Sequence, residues 1–108
     1  MDIKAIAEDV HKFEVARGEW DHIFQKTTSQ RAALIMEEVS EVFKAYRNGH
    51  PSDLVYHQNG KPEGIPIELA DIVLRVLATA EDWGVNIEES ISLKMQWNWE
   101  NRVQKEGK

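Results

Sequence analysis

Residues 29–47 contain neither glycine nor proline, and Leu34, Ile35, Val39, Val42, Phe43 and Tyr46 recur there at intervals of three and four. That spacing gathers apolar side chains on one side of a 3.6-residue repeat and fits no strand, whose side chains alternate with period two. It predicts a helix of about five turns, stopped by Asn48, Gly49 and Pro51. The same rhythm runs through residues 2–16, with Ile3, Ile6, Ala7, Val10, Phe13 and Ala16 in register and Gly18 closing the segment. A third helix is predicted from Pro66, tolerated just inside a helix start where its missing N–H has no partner to lose, to about Trp83, before Gly84. Asn86 followed by Glu89 has the spacing of an N-cap with an acidic residue three positions on. It opens a fourth helix that runs to about Gln104.

Between the second and third helices lies GHPSDLVYHQNGKPEG, residues 49–64, with three of the six glycines and two of the three prolines. Connections longer than about 12–15 residues inside a compact domain are usually functional or mobile. His50, Tyr56, His57 and Lys61 in this loop are placed to fold over a bound ligand. The remaining connector, residues 19–28, carries Trp20 and Phe24. No repeat, low-complexity tract or sustained alternation is present. The expectation is an all-α fold, a four-helix bundle in one domain spanning residues 1–108.

Composition narrows the function classes. The chain has 108 residues, 13 Lys+Arg against 19 Asp+Glu, and no cysteine. A thiolate zinc site and a disulfide scaffold are excluded. The net charge of −6 argues against binding a nucleic-acid polymer, whose affinity comes from neutralising phosphates. No apolar run approaches the ~20 residues of a membrane span, and the amphipathic start of the chain is unlike a signal peptide. A cytoplasmic protein is expected.

Charge falls where packing should be. On the second helix Leu34, Glu38, Glu41, Val42 and Ala45 share a stripe; on the third, Ile65, Glu68, Asp71 and Ile72 do so. Each helix thus carries two carboxylates one turn apart that interrupt an apolar face. Brought together, four carboxylates repel, and a divalent cation removes that cost. An all-oxygen donor set favours Mg²⁺, with Mn²⁺ as a substitute. Di-iron bundles use Glu-x-x-His pairs, which neither helix has. Spacing alone is equally compatible with solvated acidic pairs.

At these residues the chain resembles the MazG-like nucleoside triphosphate pyrophosphohydrolases, whose signature E-E-x-x-E followed by E-x-x-D stands here as Glu37-Glu38-Val39-Ser40-Glu41 and Glu68-Leu69-Ala70-Asp71. The resemblance spans nearly the whole chain, including NGKPEGIPIELAD and LKMQWN. It implies that Glu38, Glu41, Glu68 and Asp71 bind Mg²⁺, and that Glu37 and Glu38 serve catalysis, Glu37 by orienting water or holding a further ion. The implied reaction cleaves a (deoxy)nucleoside triphosphate between the α and β phosphates, giving monophosphate and pyrophosphate. Lys94 and Asn98 match a K-x-x-[YW]-N pattern that contacts phosphate or sugar. The arginine usual three residues after that Asn is displaced by one, to Arg102.

Similarity to the dCTP pyrophosphatase branch of the family implies base contacts from His11 and Trp20. That branch has a tyrosine where this chain has Arg75, a residue that either contacts phosphate or pairs with Asp71. The resemblance also implies a homodimer or homotetramer, and Phe13, Phe24, Phe43, Trp83, Trp97 and Trp99 are the aromatics available to bury its seam. Two other function classes stay open on sequence grounds. One is a non-catalytic helical module that binds nucleotide or metal. The other is a pyrophosphohydrolase of a non-nucleotide substrate.

Overall fold

A computed structural model describes residues 2–17 and 28–103. In chain order it contains α1 (Ile3–Ala16), α2 (Thr28–Arg47), β1 (Tyr56–Gln58), β2 (Lys61–Glu63), α3 (Ile65–Asp82) and α4 (Ile87–Asn101). The fold is all-α apart from the one small hairpin. The helix ends follow from local chemistry. Asp2 caps α1, its carboxylate accepting from the Ala5 N–H, and Asn86 caps α4 by accepting from Glu89 N–H at 3.1 Å. Gly49 and Gly84 take positive φ just past α2 and α3, the left-handed exit that glycine makes without steric cost.

Residues 49–64 differ from the expected unstructured loop. β1 and β2 pair antiparallel with Tyr56 opposite Glu63, His57 opposite Pro62 and Gln58 opposite Lys61. Asn59 and Gly60, at φ 54° and 79°, form the two-residue turn whose twist matches a hairpin. Gly64, at φ 120°, has no room for a side chain, since a Cβ there would collide with the Leu54 carbonyl. The hairpin is thereby tied to the start of α3.

α3 is the central element. It packs against α1 and α2, and β2 sits at its beginning, whereas α4 packs against α1. Among the described residues the buried core is small, comprising Ala7, Ile65, Leu77, Ala78 and Ala80, with Thr79 bonded to the Arg75 carbonyl. Its most enclosed long side chain is charged. Arg31 on α2 is 1% exposed and donates to both Glu14 oxygens of α1, at 3.4 and 3.2 Å, and to Asp82 of α3 at 3.3 Å. One guanidinium therefore links three helices, its fork matched to the Glu14 carboxylate.

The stripe read from α2 divides into two. Leu34, Ile35, Glu38, Glu41, Val42 and Ala45 are half-buried, consistent with the packing of α2 on α3. Met36, Val39, Phe43 and Tyr46, also spaced by three and four, are exposed. No residue of α4 is buried. Among the described residues, no helix is long and apolar enough to cross a membrane.

Candidate functional site

The α2–α3 contact brings together carboxylates that lie thirty residues apart in sequence. Glu38 projects from the middle of α2. Glu68 sits in the first turn of α3 and Asp71 one turn on. Oxygens of Glu38, Glu68 and Asp71 lie within 4.8 Å of one another, and all three residues are half-buried. Oxygens that share one octahedral ion bonded at about 2.1 Å stand at most about 4.2 Å apart, a separation of the same order as that within this set. The donors are all hard oxygens, which suits Mg²⁺ or Mn²⁺.

Electrostatics mark the same place. Burial pushes the Glu68 carboxyl above the ordinary glutamate range, and the negative charges of Asp71, Glu38, Glu41 and Glu63 push it further. Arg75 supplies partial compensation. Its Nε stands 3.6 Å from Glu38 Oε1 across the helix interface, so it pairs with Glu38 and not with Asp71 on its own helix. Glu41 is near enough to act on Glu68 but lies outside the three-carboxylate group, with Lys44 3.8 Å away on the exposed side. Glu37 is exposed and is not part of the group.

Beside the carboxylates opens a cleft of about 660 Å³ between α1 and α3, within the size range of small-molecule sites. Glu38, Asp71 and Arg75 form one wall. Ile6, Val10, Phe13 and Leu74 make an apolar face, and Asp9, Arg17 and Lys61 bring charge to it. The Arg17 guanidinium lies over the Phe13 ring at 5.3 Å. Lys61 arrives on the hairpin, whose base is braced by the stacked rings of His50 and Tyr56, 5.8 Å apart. His57 is exposed.

Other residues expected at the site lie elsewhere. Lys94 and Arg102 both gather over the Trp97 ring, at 4.5 and 5.2 Å, on α4, whose main packing partner is α1. Asn98 is half-buried there, and its side-chain oxygen is buried without a hydrogen-bond partner among the described residues. Among the described residues, none of these three lines the cleft, and neither does the half-buried His11. Trp20 and Phe24 lie outside the described residues. Sequence reasoning passed over Asp9, Phe13 and Arg17 as cleft residues. Their signal was the amphipathic order of α1, which turns positions 6, 9, 10, 13 and 17 to one side.

No family model, curated protein or solved structure matches the chain.

Proposed function

We propose that this protein is a Mg²⁺-dependent pyrophosphohydrolase of (deoxy)nucleoside triphosphates, of the MazG-like kind that its acidic motifs resemble. One observation carries the reading: Glu38, Glu68 and Asp71 converge from two helices within 4.8 Å, and Glu38 and Asp71 line a cleft of nucleotide size that also holds cations and an aromatic ring. The chemistry that Mg²⁺ supplies when bound is charge neutralisation on phosphate oxygens and activation of water at neutral pH.

The side chains divide the remaining work. Glu38, Glu68 and Asp71 bind the ion, with Glu41 a turn away to complete the set or hold a second one. Arg75, 3.6 Å from Glu38 across the helix interface, holds that carboxylate in position. Glu37, next to Glu38, orients the attacking water. The apolar face of Ile6, Val10 and Phe13 receives the base and keeps bulk water from the phosphates. Phosphoryl chemistry needs little covalent help, since positioning and charge stabilisation dominate it.

The exposed apolar stripe Met36, Val39, Phe43 and Tyr46, together with α4 and its exposed Leu93, Trp97 and Trp99, favours a homodimer or homotetramer. The test of function is turnover of nucleotides with Mg²⁺ or with EDTA, in the wild type and in Glu38→Gln and Asp71→Asn. Both variants are expected to lose turnover by at least about a hundredfold, the scale on which a charge acting in the transition state contributes, with helicity unchanged. Full activity in either variant overturns the metal assignment. Nucleotide binding without release of pyrophosphate at saturating Mg²⁺ would instead favour a non-catalytic module, a reading that draws on the position of Lys94 and Asn98 outside the cleft.

A further inference from the structure

We infer that Lys61, carried by the β1–β2 hairpin, is the side chain that binds the phosphate chain of the substrate. The inference rests on the triphosphate reading above and adds to it a residue that the acidic motifs do not contain.

A triphosphate brings about four negative charges to a cleft already lined by Asp9, Glu14, Glu38 and Asp71. Cations from the protein have to meet it. Among the described residues three line the cleft: Arg17, Lys61 and Arg75. Arg75 stands against Glu38 at 3.6 Å, and Arg17 stands over Phe13. Lys61 is different. It pairs with Glu63 at 3.5 Å through a side chain that is 76% exposed, and a solvated ion pair of this kind contributes little. Exchanging Glu63 for a phosphate therefore costs almost nothing. A lysine is also suited to the task, being a compact charge on a flexible stem that follows a phosphate as it changes shape.

Its location is fixed by backbone geometry. The Asn59-Gly60 turn sets Lys61 opposite Gln58, and Gly64 seats the hairpin against the Leu54 carbonyl. Ile65, 4% exposed, then anchors the helix that carries Glu68 and Asp71. The base of Lys61 and two of the three carboxylates therefore belong to one continuous unit. The other basic candidates, Lys94 and Arg102, cluster on Trp97 instead.

The experiment compares wild type, Lys61→Gln and Lys61→Arg by steady-state kinetics on the preferred triphosphate with Mg²⁺. Mn²⁺ binding without nucleotide is followed calorimetrically on the same proteins. Loss of one charge-assisted contact is expected to raise KM roughly ten- to a hundredfold in Lys61→Gln. The kcat and the Mn²⁺ affinity should stay within about twofold, since an exposed side chain outside the metal set is being changed. Lys61→Arg should recover most of the loss. If the wild type hydrolyses the triphosphate and Lys61→Gln keeps its KM within about twofold, the scatter of a neutral surface change, the assignment of Lys61 is wrong and the function stands. An equal loss of Mn²⁺ affinity in Lys61→Gln would also overturn it, by making the effect one of hairpin structure. A wild type that neither binds nor hydrolyses any triphosphate overturns the functional reading, and the role of Lys61 with it.

Discussion

Glu68 holds its proton to higher pH than an ordinary glutamate, first because it is partly buried and then because Asp71, Glu38, Glu41 and Glu63 surround it with negative charge. The folded protein therefore binds this proton more tightly than the unfolded chain does. Below the ordinary glutamate range both states are protonated and nothing is lost. As pH rises from there through the raised folded value, the unfolded chain releases its proton first and metal-free stability falls. Above the raised value the whole penalty is present. Glu68→Gln should flatten that decline and melt higher than wild type at neutral pH with EDTA, while binding Mg²⁺ more weakly. Thermal melts across pH check this, and a Glu68→Gln protein less stable than wild type without metal would contradict it. In the wild type, Mg²⁺ affinity should climb over the same window, as the proton leaves.

Arg31 shows how far single residues were legible. It sits three, four and seven positions before Leu34, Ile35 and Glu38, so the stripe of α2 already points it inward, as that of α1 does Glu14 through Ala7 and Val10. Nothing in a linear sequence reveals that one guanidinium meets two carboxylates from different helices, since that depends on how three helices assemble.

At the scale of elements, this triad joins α1, α2 and α3 alongside the small apolar core. Removing the arginine strands Glu14 and Asp82 in the interior, which costs about 3–5 kcal/mol for a buried pair broken on one side. Arg31→Ala should lose that much in urea unfolding, a large share of the 5–15 kcal/mol typical of a domain. Replacing all three residues by apolar ones of similar volume should recover most of it. A loss below about 1 kcal/mol, the range of ordinary surface pairs, would show that the triad does not hold the helices.

The helices themselves were written locally, in caps, stop signals and apolar rhythm, and their ends match the reading within a residue or two at most positions. The fourth was expected to continue to about residue 104, and its observed end is Asn101. The hairpin escaped because its strands have three residues each, too few to show alternation. Asn59-Gly60 was its one local signal. The pairs Glu38/Glu41 and Glu68/Asp71 were visible as interruptions of apolar faces. That Glu38, Glu68 and Asp71 meet while Glu41 stands a turn away is set by the α2–α3 packing, which spacing does not encode.

At the scale of the whole molecule, apolar surface is left over among the described residues. The radius of gyration is 17.1 Å, against about 13 Å for a compact chain of this length. Met36, Phe43, Tyr46, Leu93 and Trp99 are each more than 60% exposed, which leaves large apolar side chains of α2 and α4 uncovered. A second copy seated on α2 and α4 would cover them. Light scattering after size exclusion should give a multiple of the 12.5 kDa chain mass, and Phe43→Glu with Leu93→Glu should reduce it to one. A wild-type mass of a single chain would contradict this. The positions of Lys94, Asn98 and Arg102 were the least legible part of the candidate site, because α4 has a weakly amphipathic sequence that does not specify its packing partner.

Pyrophosphohydrolase activity is decided by incubating the purified protein with each common NTP and dNTP, in Mg²⁺ and in EDTA, and resolving the products. Nucleoside monophosphate and pyrophosphate are expected in equal amounts, formed with Mg²⁺ and abolished by EDTA. Diphosphate with inorganic phosphate, or turnover that EDTA leaves unchanged, would contradict it.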